Sequence, residues 1–400
     1  MKKVAIIASI VAIVILSYFL FEPVFTYWLT RTESPNFEIL LPTTTHADAV
    51  SEEADELLIN KFRLLKAPSL SVSIGIDDSV VWSNSIGYSD VENKRLVDST
   101  TKYRIGSVSK TITSIGLGLL LQSKALNPNS IVGDYVPYVT GDLTNLTVKE
   151  LASHTSGIRN YGTCMCLPLW EYYDNDHYHS TEESVSIFAD DELLFAPGKA
   201  FSYSSYNYTL LSAVIEGASK QEYRDYIQSN VLEPLNLTQT IPDNVLQPAP
   251  NTAVFYDFEG DYLSTAFAVD NSNKWAGGGY LSTPTDLVKF GNGILNNSLL
   301  DEDTKALLFN PVKLADGQVN EQNYALGWRN DLSKKVFSDG REVRIIHHGG
   351  TAAGSTAILV LLPEYNASIS LAMNKSGSTA DLFDIAFKLA ELFLTEHKRE

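Results

Sequence analysis

The stretch 104–122, RIGSVSKTITSIGLGLLLQ, decides how this chain is interpreted. Its dense apolar residues predict a helix from about Ser107 to Lys124, with a glycine just before it. Ser107 and Lys110 are three positions apart and therefore share one face of that helix. Two interpretations are open: a solvated lysine at a helix start, or a serine nucleophile with its base.

The surroundings of Lys110 favour the catalytic interpretation. A lysine accepts a proton only when it is neutral, and burial in an apolar helix near its positive N-terminus lowers the pKa. Ser99 and Lys102 repeat the spacing, but they lie in a polar stretch with no helix after it. Context, rather than spacing, therefore selects Ser107. Tyr203 precedes another predicted helix and is a candidate for passing the serine proton to a leaving group.

Composition limits the classes of protein and partner. The chain has 400 residues, 44% of them hydrophobic, which is enough for a large core and more than one structural lobe. The formal net charge is −18, and lysine and arginine form no cluster beyond pairs such as Lys334-Lys335. Nucleic acid is therefore not expected as a partner.

The N-terminal segment predicts a membrane anchor. Residues 4–21 form an uncharged apolar run behind Lys2 and Lys3, long enough to cross a bilayer as one helix. The run ends in bulky residues rather than in the small-residue site of a cleaved signal peptide, and Tyr27 and Trp28 suit the far interface. The two lysines should stay in the cytoplasm. This orientation places the catalytic part on the extracytoplasmic side of the cell membrane.

The remaining pattern predicts an α+β fold. An N-terminal helix, a strand hairpin, several helices, four late strands and a final amphipathic helix follow in order. We expect the strands to form one antiparallel sheet covered by the N- and C-terminal helices, with an inserted all-helical lobe. Helices are predicted over 48–66, 181–195 and 206–232, and the first late strand over 324–330. The predicted division is an anchor (1–28), a linker (29–47), a sheet lobe (48–105 and 276–400) and a helical lobe with the nucleophile (106–275).

A polar stretch between the nucleophile and Tyr203 contains residue types that bind metals. Cys164 and Cys166 are separated by a single residue, so a disulfide between them would be strained. Two free thiols are at least as good an interpretation of this pair. The spacing of the other ligand types fits no zinc motif and predicts an insertion loop instead. We expect no metal and no cofactor. The ligand types concerned are Asp174, Asp176, His177 and His179.

Taken in order, the motifs resemble those of the serine β-lactamase and penicillin-binding protein superfamily, especially its class C-like branch. Ser107 and Lys110 match the motif S-x-x-K, and residues 203–205, Tyr-Ser-Ser, match Y-x-N except at the third position. Residues 347–349, His-His-Gly, stand where the family has K-T-G or H-x-G. The match covers about residues 50–395. Its serine at the third Y-x-N position and the stretches HTSGIRNY and HHGGTAAGSTAILVLLP are most similar to the mitochondrial serine β-lactamase-like peptidases.

The resemblance implies an active site between a sheet lobe and a helical lobe. It implies an acyl-enzyme on Ser107, proton transfer by Lys110 and Tyr203, and an oxyanion held by the backbone N–H groups of Ser107 and Gly350. The serine in Y-x-N replaces an amide that orients substrate, and histidine carries less fixed charge than lysine at neutral pH. Both departures favour a peptidase or esterase over hydrolysis of β-lactams. The residues implied to contact the substrate are Ser205, His347, His348 and Gly349.

Two other classes of protein compete with a serine hydrolase. A non-catalytic, penicillin-binding-like sensor or scaffold would keep the pocket and lose the chemistry, but joint retention of Ser107, Lys110 and Tyr203 argues against it. A metallo-hydrolase would need a histidine-rich ligand motif, and neither H-E-x-x-H nor H-x-H-x-D-H occurs in the sequence. We therefore expect a membrane-anchored serine hydrolase of a small-molecule or peptide substrate.

Overall fold

Apolar periodicity produces helices at both ends of the chain and in its middle. The computed structural model describes residues 2–33, 49–162, 171–260 and 262–397, and the side chains of the first helix only over 3–17. The α-helices in these residues are α1 (Lys2–Thr30), α2 (Ala49–Leu65), α3 (Ser109–Gln122), α4 (Val148–Ala152), α5 (Thr181–Ser186), α6 (Tyr206–Ser219), α7 (Tyr223–Ile227), α8 (Trp275–Gly278), α9 (Pro284–Leu295), α10 (Glu302–Phe309) and α11 (Thr379–His397).

The strands fall into one large sheet and two small ones. Their order in the large sheet is β10-β11-β12-β13-β2-β3-β4, and the small sheets are β1-β8-β7 and β5-β9-β6. The strands are β1 (Thr32–Glu33), β2 (Ser69–Ile76), β3 (Ser79–Asp90), β4 (Arg95–Leu96), β5 (Tyr103–Arg104), β6 (Ile241–Pro242), β7 (Tyr256–Glu259), β8 (Tyr262–Thr265), β9 (Tyr280–Ser282), β10 (Arg329–Ser333), β11 (Val343–Ala352), β12 (Ser355–Leu362) and β13 (Ala367–Met373).

The large sheet joins distant parts of the sequence. Strands β2 and β3 form the predicted hairpin, and β13 pairs antiparallel with β2, with Ala367 opposite Ile76 and Met373 opposite Leu70. All neighbouring strands of this sheet run antiparallel. The predicted antiparallel sheet, built from the early hairpin and the late strands, is therefore confirmed. The lobe predicted as all-helical, 106–275, is not purely helical, because it also contains the short strands β6, β7 and β8.

Both faces of the sheet are covered, which explains the unbroken apolar run of β12. A strand buried on both faces has apolar residues at every position rather than at alternate ones. Helices α2 and α11 pack on one face, as predicted, and α9 packs on the other against β13 and β2. The side chains of Ile358, Val360 and Leu362 face α2 and α11, and those of Ala357, Leu359 and Leu361 belong to the opposite core.

Three internal boundaries differ from the prediction. The helix predicted over 181–195 is only the short α5, and the helix predicted over 206–232 divides into α6, α7 and a π-helical turn. Lys220 has a φ of +61° at the end of α6, a left-handed conformation that stops a helix. The late strands begin with β10, at Arg329 rather than at 324. Apolar spacing continues through each of these breaks, because it does not register backbone conformation.

Helix α1 coincides with the segment predicted as a membrane anchor. Within the described residues, no helix combines the length and apolar character that a membrane span requires. The structure therefore lends no support to the predicted transmembrane helix. Helix α1 also extends to Thr30, two residues into the predicted linker, and most of that linker, 34–47, lies outside the described residues.

The packing of α11 on the sheet gives a test of the core. Leu389 is fully buried in the cluster formed by α2, α11 and the sheet. We expect Leu389→Ala to lower the free energy of unfolding by about 2–5 kcal/mol, since it leaves a cavity. The matched control is Leu332→Ala on β10, where the leucine is 69% exposed and the expected change is below about 0.5 kcal/mol. Urea unfolding measures both, and equal losses would contradict the assignment of this core.

Candidate active site

A tight turn presents Ser107 at the start of α3. Gly106, Ser107 and Val108 form one turn of 3-10 helix that leads into the α-helix at Ser109. Gly106 has a φ of +50°, and a Cβ atom there would lie 2.7 Å from the carbonyl oxygen of Thr351. Only glycine accommodates both conditions. The Ser109 hydroxyl donates to the Gly106 carbonyl at 2.7 Å and fixes the turn.

Lys110 lies fully buried beside the nucleophile. Its ammonium donates to the Ser107 and Ser205 hydroxyl oxygens, each at 3.2 Å, and to the Gly277 carbonyl at 2.5 Å. Burial, together with the nearby Arg329 guanidinium, holds the pKa of Lys110 well below its usual range. The lysine of the opening sequence is therefore buried and not solvated, and its burial favours the neutral form.

The ring of Tyr203 packs against the ammonium of Lys110. The lysine nitrogen is 4.9 Å from the centroid of the tyrosine ring. The Tyr203 hydroxyl is buried near the Ser107 and Tyr324 hydroxyls, and it makes no hydrogen bond of good geometry in the described part of the chain. Burial raises the pKa of Tyr203, so the phenol stays protonated at neutral pH. A protonated, unpartnered hydroxyl beside the nucleophile can donate a proton to an incoming group.

His154 supports this tyrosine, although the sequence pattern did not single it out. The two rings stack with their centroids 4.1 Å apart. His154 is fully buried and has a φ of +60°. Burial, with Lys110 close by, lowers its pKa, so the imidazole is neutral. The available signal was a histidine within LASHTSGI, between two apolar stretches, and only packing shows that it touches Tyr203.

Strand β11 passes directly over the nucleophile turn. A Cβ atom at Gly350 would lie 2.0 Å from the Ile105 carbonyl oxygen and 2.7 Å from the Ser107 nitrogen, so this approach requires glycine. The two residues predicted to form the oxyanion hole, Ser107 and Gly350, are thus brought together by their backbones. Thr351, which was not predicted, lines the cavities on both sides of Ser107.

The two adjacent histidines of β11 have separate environments. His347 Nε2 lies 2.8 Å from Asp331 Oδ2, and the residue lines the cleft beside Ser107. His348 is deeper, with Nε2 2.9 Å from the Tyr324 hydroxyl and its ring centroid 6.3 Å from that of Tyr203. Burial lowers the pKa of His348, and nearby cations add to the effect, so it is neutral near pH 7.

Ser107 lies between two cavities. The wider one has a volume of about 460 Å³, and the narrower one of about 20 Å³ has room for little more than one small group. Of the predicted substrate-contacting residues, His347 and Gly349 line the wider cavity and Ser205 lines the narrower one. The wider cavity also contains Gln322 and Arg329, whose side chains are hydrogen-bonded to each other and which the sequence pattern did not indicate.

The predicted insertion loop is held by ordinary contacts. His177 Nδ1 lies 2.8 Å from Asp270 Oδ2, and the Tyr178 hydroxyl donates to Asp174 Oδ2 at 2.7 Å. In the part of the chain that the structure describes, no three His, Cys, Asp or Glu side chains are arranged to hold a metal ion. The two cysteines, at 164 and 166, lie outside the described residues.

Comparison with known proteins matches this geometry to a family. A profile for the family described as Beta-lactamase matches residues 58–392, which include all the site residues named above. The chain belongs to the beta-lactamase family. The human "Serine beta-lactamase-like protein LACTB, mitochondrial" is 29% identical over 380 residues, covering 74% of this chain and 69% of that protein. "Protein flp" of Staphylococcus aureus strain N315 is 28% identical, covering 81% of this chain and 63% of that protein.

Solved structures of this beta-lactamase-family fold agree. An octameric penicillin-binding protein homologue from Pyrococcus abyssi superimposes with a TM-score of 0.71 at 22% identity, covering 86% of this chain and 77% of that one. The D-amino acid amidase from Ochrobactrum anthropi SV3 gives a TM-score of 0.73 at 18% identity, covering 88% of this chain and 100% of that one. At these identities the likeness concerns the fold, and it confirms the predicted α+β class.

Proposed function

We propose that the chain is a serine hydrolase that cleaves an amide or ester through an acyl-enzyme on Ser107. The observation that carries this proposal is the buried ammonium of Lys110, 3.2 Å from the Ser107 hydroxyl oxygen, with a lowered pKa. A lysine with only a structural role on a helix surface would keep its ammonium in water. Membership in the beta-lactamase family supports the same class of reaction.

The proposed roles follow from the directions of the two pKa shifts. Neutral Lys110 accepts the proton of Ser107 while the serine oxygen bonds to the substrate carbonyl carbon. The backbone N–H groups of Ser107 and Gly350 stabilise the resulting oxyanion. The bond to the leaving group then breaks, the leaving group takes a proton from Tyr203, and the proton on Lys110 replaces it. Water attacks the acyl-enzyme by the reverse proton path and releases the acid.

The site favours a peptidase or esterase over a β-lactamase. The Ser205 hydroxyl, which replaces an amide of the family motif, is engaged by Lys110 at 3.2 Å. The third motif has histidines where the family has a lysine, and the more deeply buried one, His348, is neutral. The cation of the wider cavity is instead Arg329, a residue suited to a carboxylate on the leaving group. A peptide with a free C-terminal carboxylate, or an ester whose leaving group carries a carboxylate, would complement the positive charge of Arg329.

A panel assay tests the proposal. Full-length protein, purified in detergent, would be treated with a fluorophosphonate label and then with p-nitrophenyl esters, ordinary peptides, D-Ala-D-Ala peptides and nitrocefin. We expect labelling and turnover of an ester or peptide faster than turnover of nitrocefin. Absence of both labelling and turnover would favour the rival function, a non-catalytic sensor or scaffold.

Attachment to a membrane, with the catalytic part on the extracytoplasmic side, is a second part of the proposal and rests on the sequence of residues 2–21. We expect a phosphatase reporter fused after residue 30 to be active, since such a reporter folds only after export from the cytoplasm. A cytoplasmic reporter fused at the same position should be inactive. The matched control deletes residues 4–21 and should reverse both results. Strong cytoplasmic activity from the intact fusion would contradict this location.

A further inference from the structure

The two cavities beside Ser107 separate the two halves of a substrate. A substrate carbonyl held at the serine carries its leaving group on one side and its acyl chain on the other. Tyr203, the proposed proton donor to the leaving group, lines the wider cavity and not the narrower one. The leaving group therefore occupies the wider cavity. The acyl chain is directed towards the narrower cavity, which its end group enters; this cavity is called here the acyl recess and is lined by Ser107, Tyr161, Tyr172, Ser205, Lys274 and Thr351 among others.

A second buried lysine stands in the wall of the acyl recess. Lys274 is only 8% exposed, and its ammonium lies 5.4 Å from the ring centroid of Tyr161 and 5.3 Å from that of Tyr172. Its one hydrogen bond in the described structure goes to the Tyr172 carbonyl oxygen at 3.1 Å. An ammonium has three N–H donors, so two of them bond none of the described residues and can serve another acceptor.

The carboxylates around Lys274 are already engaged elsewhere. Asp243 Oδ2 accepts from Arg104 at 2.7 Å and Asp270 Oδ2 lies 2.8 Å from His177, while Asp174 accepts from the Tyr178 hydroxyl. Among the described residues none forms an ion pair with Lys274. Burial and the nearby Arg104 guanidinium lower the pKa of Lys274 to about 8. The three aspartates act at longer range and oppose this lowering. The group is thus a cation at neutral pH.

We propose that Lys274 determines acyl specificity by selecting acyl donors that carry a carboxylate and disfavouring those that carry a free ammonium. The inference rests on the proposed function, because it concerns which acyl group reaches Ser107. A buried cation without an ion-pair partner is costly, and a substrate carboxylate would compensate the charge. The volume of about 20 Å³ suits the end group of an acyl chain rather than a bulky side chain.

Three esters of equal chain length test the selection. They are mono-p-nitrophenyl adipate, its methyl ester and p-nitrophenyl 6-aminohexanoate, which end in a carboxylate, a neutral ester and an ammonium. Hydrolysis in the presence of Ser107→Ala protein gives the spontaneous rate to subtract. For the natural chain we expect kcat/KM to be at least about tenfold higher for the carboxylate than for the methyl ester, and lowest for the ammonium.

Variants assign the preference to one cation. Lys274→Met should bring the carboxylate-to-methyl-ester ratio close to one, and Lys274→Arg should keep it above one. The matched control is Lys305→Met, another buried lysine, which bonds backbone carbonyls in α9 and should leave the ratio unchanged. Arg329→Gln should also keep the ratio, because that cation lies in the other cavity. The inference would be overturned if the carboxylate-to-methyl-ester ratio were unchanged in Lys274→Met, or if Arg329→Gln abolished the ratio instead.

A binding measurement keeps the inference testable if the chain is not a hydrolase. Calorimetry on Ser107→Ala protein should show tighter binding of mono-p-nitrophenyl adipate than of its methyl ester, and Lys274→Met should remove the difference. Absence of turnover and labelling with this binding difference intact would refute the proposed function alone. Turnover of all three esters at equal kcat/KM, with equal binding, would refute the selection by Lys274 alone.

Discussion

Ser107→Ala should abolish both fluorophosphonate labelling and turnover. Among the described residues, Lys110 donates to the hydroxyls of Ser107 and Ser205, and of these two only Ser107 lines both cavities. Removing the nucleophile of a serine protease lowers kcat by about 10⁶-fold, so we expect the residual rate to equal the background rate. Intact-protein mass spectrometry after labelling gives the stoichiometry. Turnover of the best ester or peptide from the panel gives the rate.

The chain carries its own control for this substitution. Ser99 and Lys102 have the same spacing as the proposed pair, but Ser99 is exposed and the Lys102 ammonium donates to the Pro250 carbonyl at 3.1 Å. Ser99→Ala should therefore label and turn over as the natural chain does. If the two serine variants lost activity equally, the assignment of the nucleophile to Ser107 would be wrong.

Lys110→Met should slow acylation by about 10²- to 10⁴-fold, the usual contribution of a general base. Methionine keeps the apolar stem and removes the amine, so the buried site stays filled. The matched control is Lys102→Met, which removes the amine from the other Ser-x-x-Lys pair and should leave the acylation rate unchanged. Acylation of Lys110→Met at the natural rate would mean that this lysine only fills space on the helix.

The pH dependence of acylation follows from the same lysine. Its pKa is lowered, and the reactive form is the neutral one, so the rate should rise as pH increases through that lowered value. The midpoint should fall well below about 10.4, the ordinary value for lysine. In the proposed mechanism Tyr203 exchanges protons with Lys110, so the midpoint would belong to the coupled pair. A rate that falls as pH increases through this range would contradict the role of Lys110 as a base.

Tyr203→Phe separates proton transfer from packing in the same experiment. The substitution keeps the ring against His154 and removes a buried hydroxyl that has no hydrogen-bond partner in the described structure. Stability should therefore be unchanged or slightly increased, because an unsatisfied polar group is lost. Turnover should fall by about 10²-fold. A large drop in the thermal midpoint would show instead that the hydroxyl is structural.

The sequence by itself determined the parts of the molecule that depend on local geometry. The pairing of Ser107 with Lys110 follows from helical spacing, and the hairpin β2–β3 follows from strand alternation around Asp77-Asp78. Helix α9 begins at Pro284, and the preceding Thr283 hydroxyl caps it by accepting a hydrogen bond from the Asp286 nitrogen at 3.1 Å. In each case a few consecutive residues fix the conformation.

The family resemblance implied several distant residues at Ser107, but only the tertiary structure decided how they meet and which further residues join them. Ser205 reaches Lys110 across 95 positions of sequence, and Lys274 and Arg329 enter opposite cavities although neither has a neighbouring motif. The stretch HHGG also does not indicate that His347 and His348 have separate environments. The register of β11 against its neighbouring strands decides to which side of the sheet each histidine side chain points. Such contacts depend on how the sheet and helices pack, and packing is not encoded by spacing along the chain.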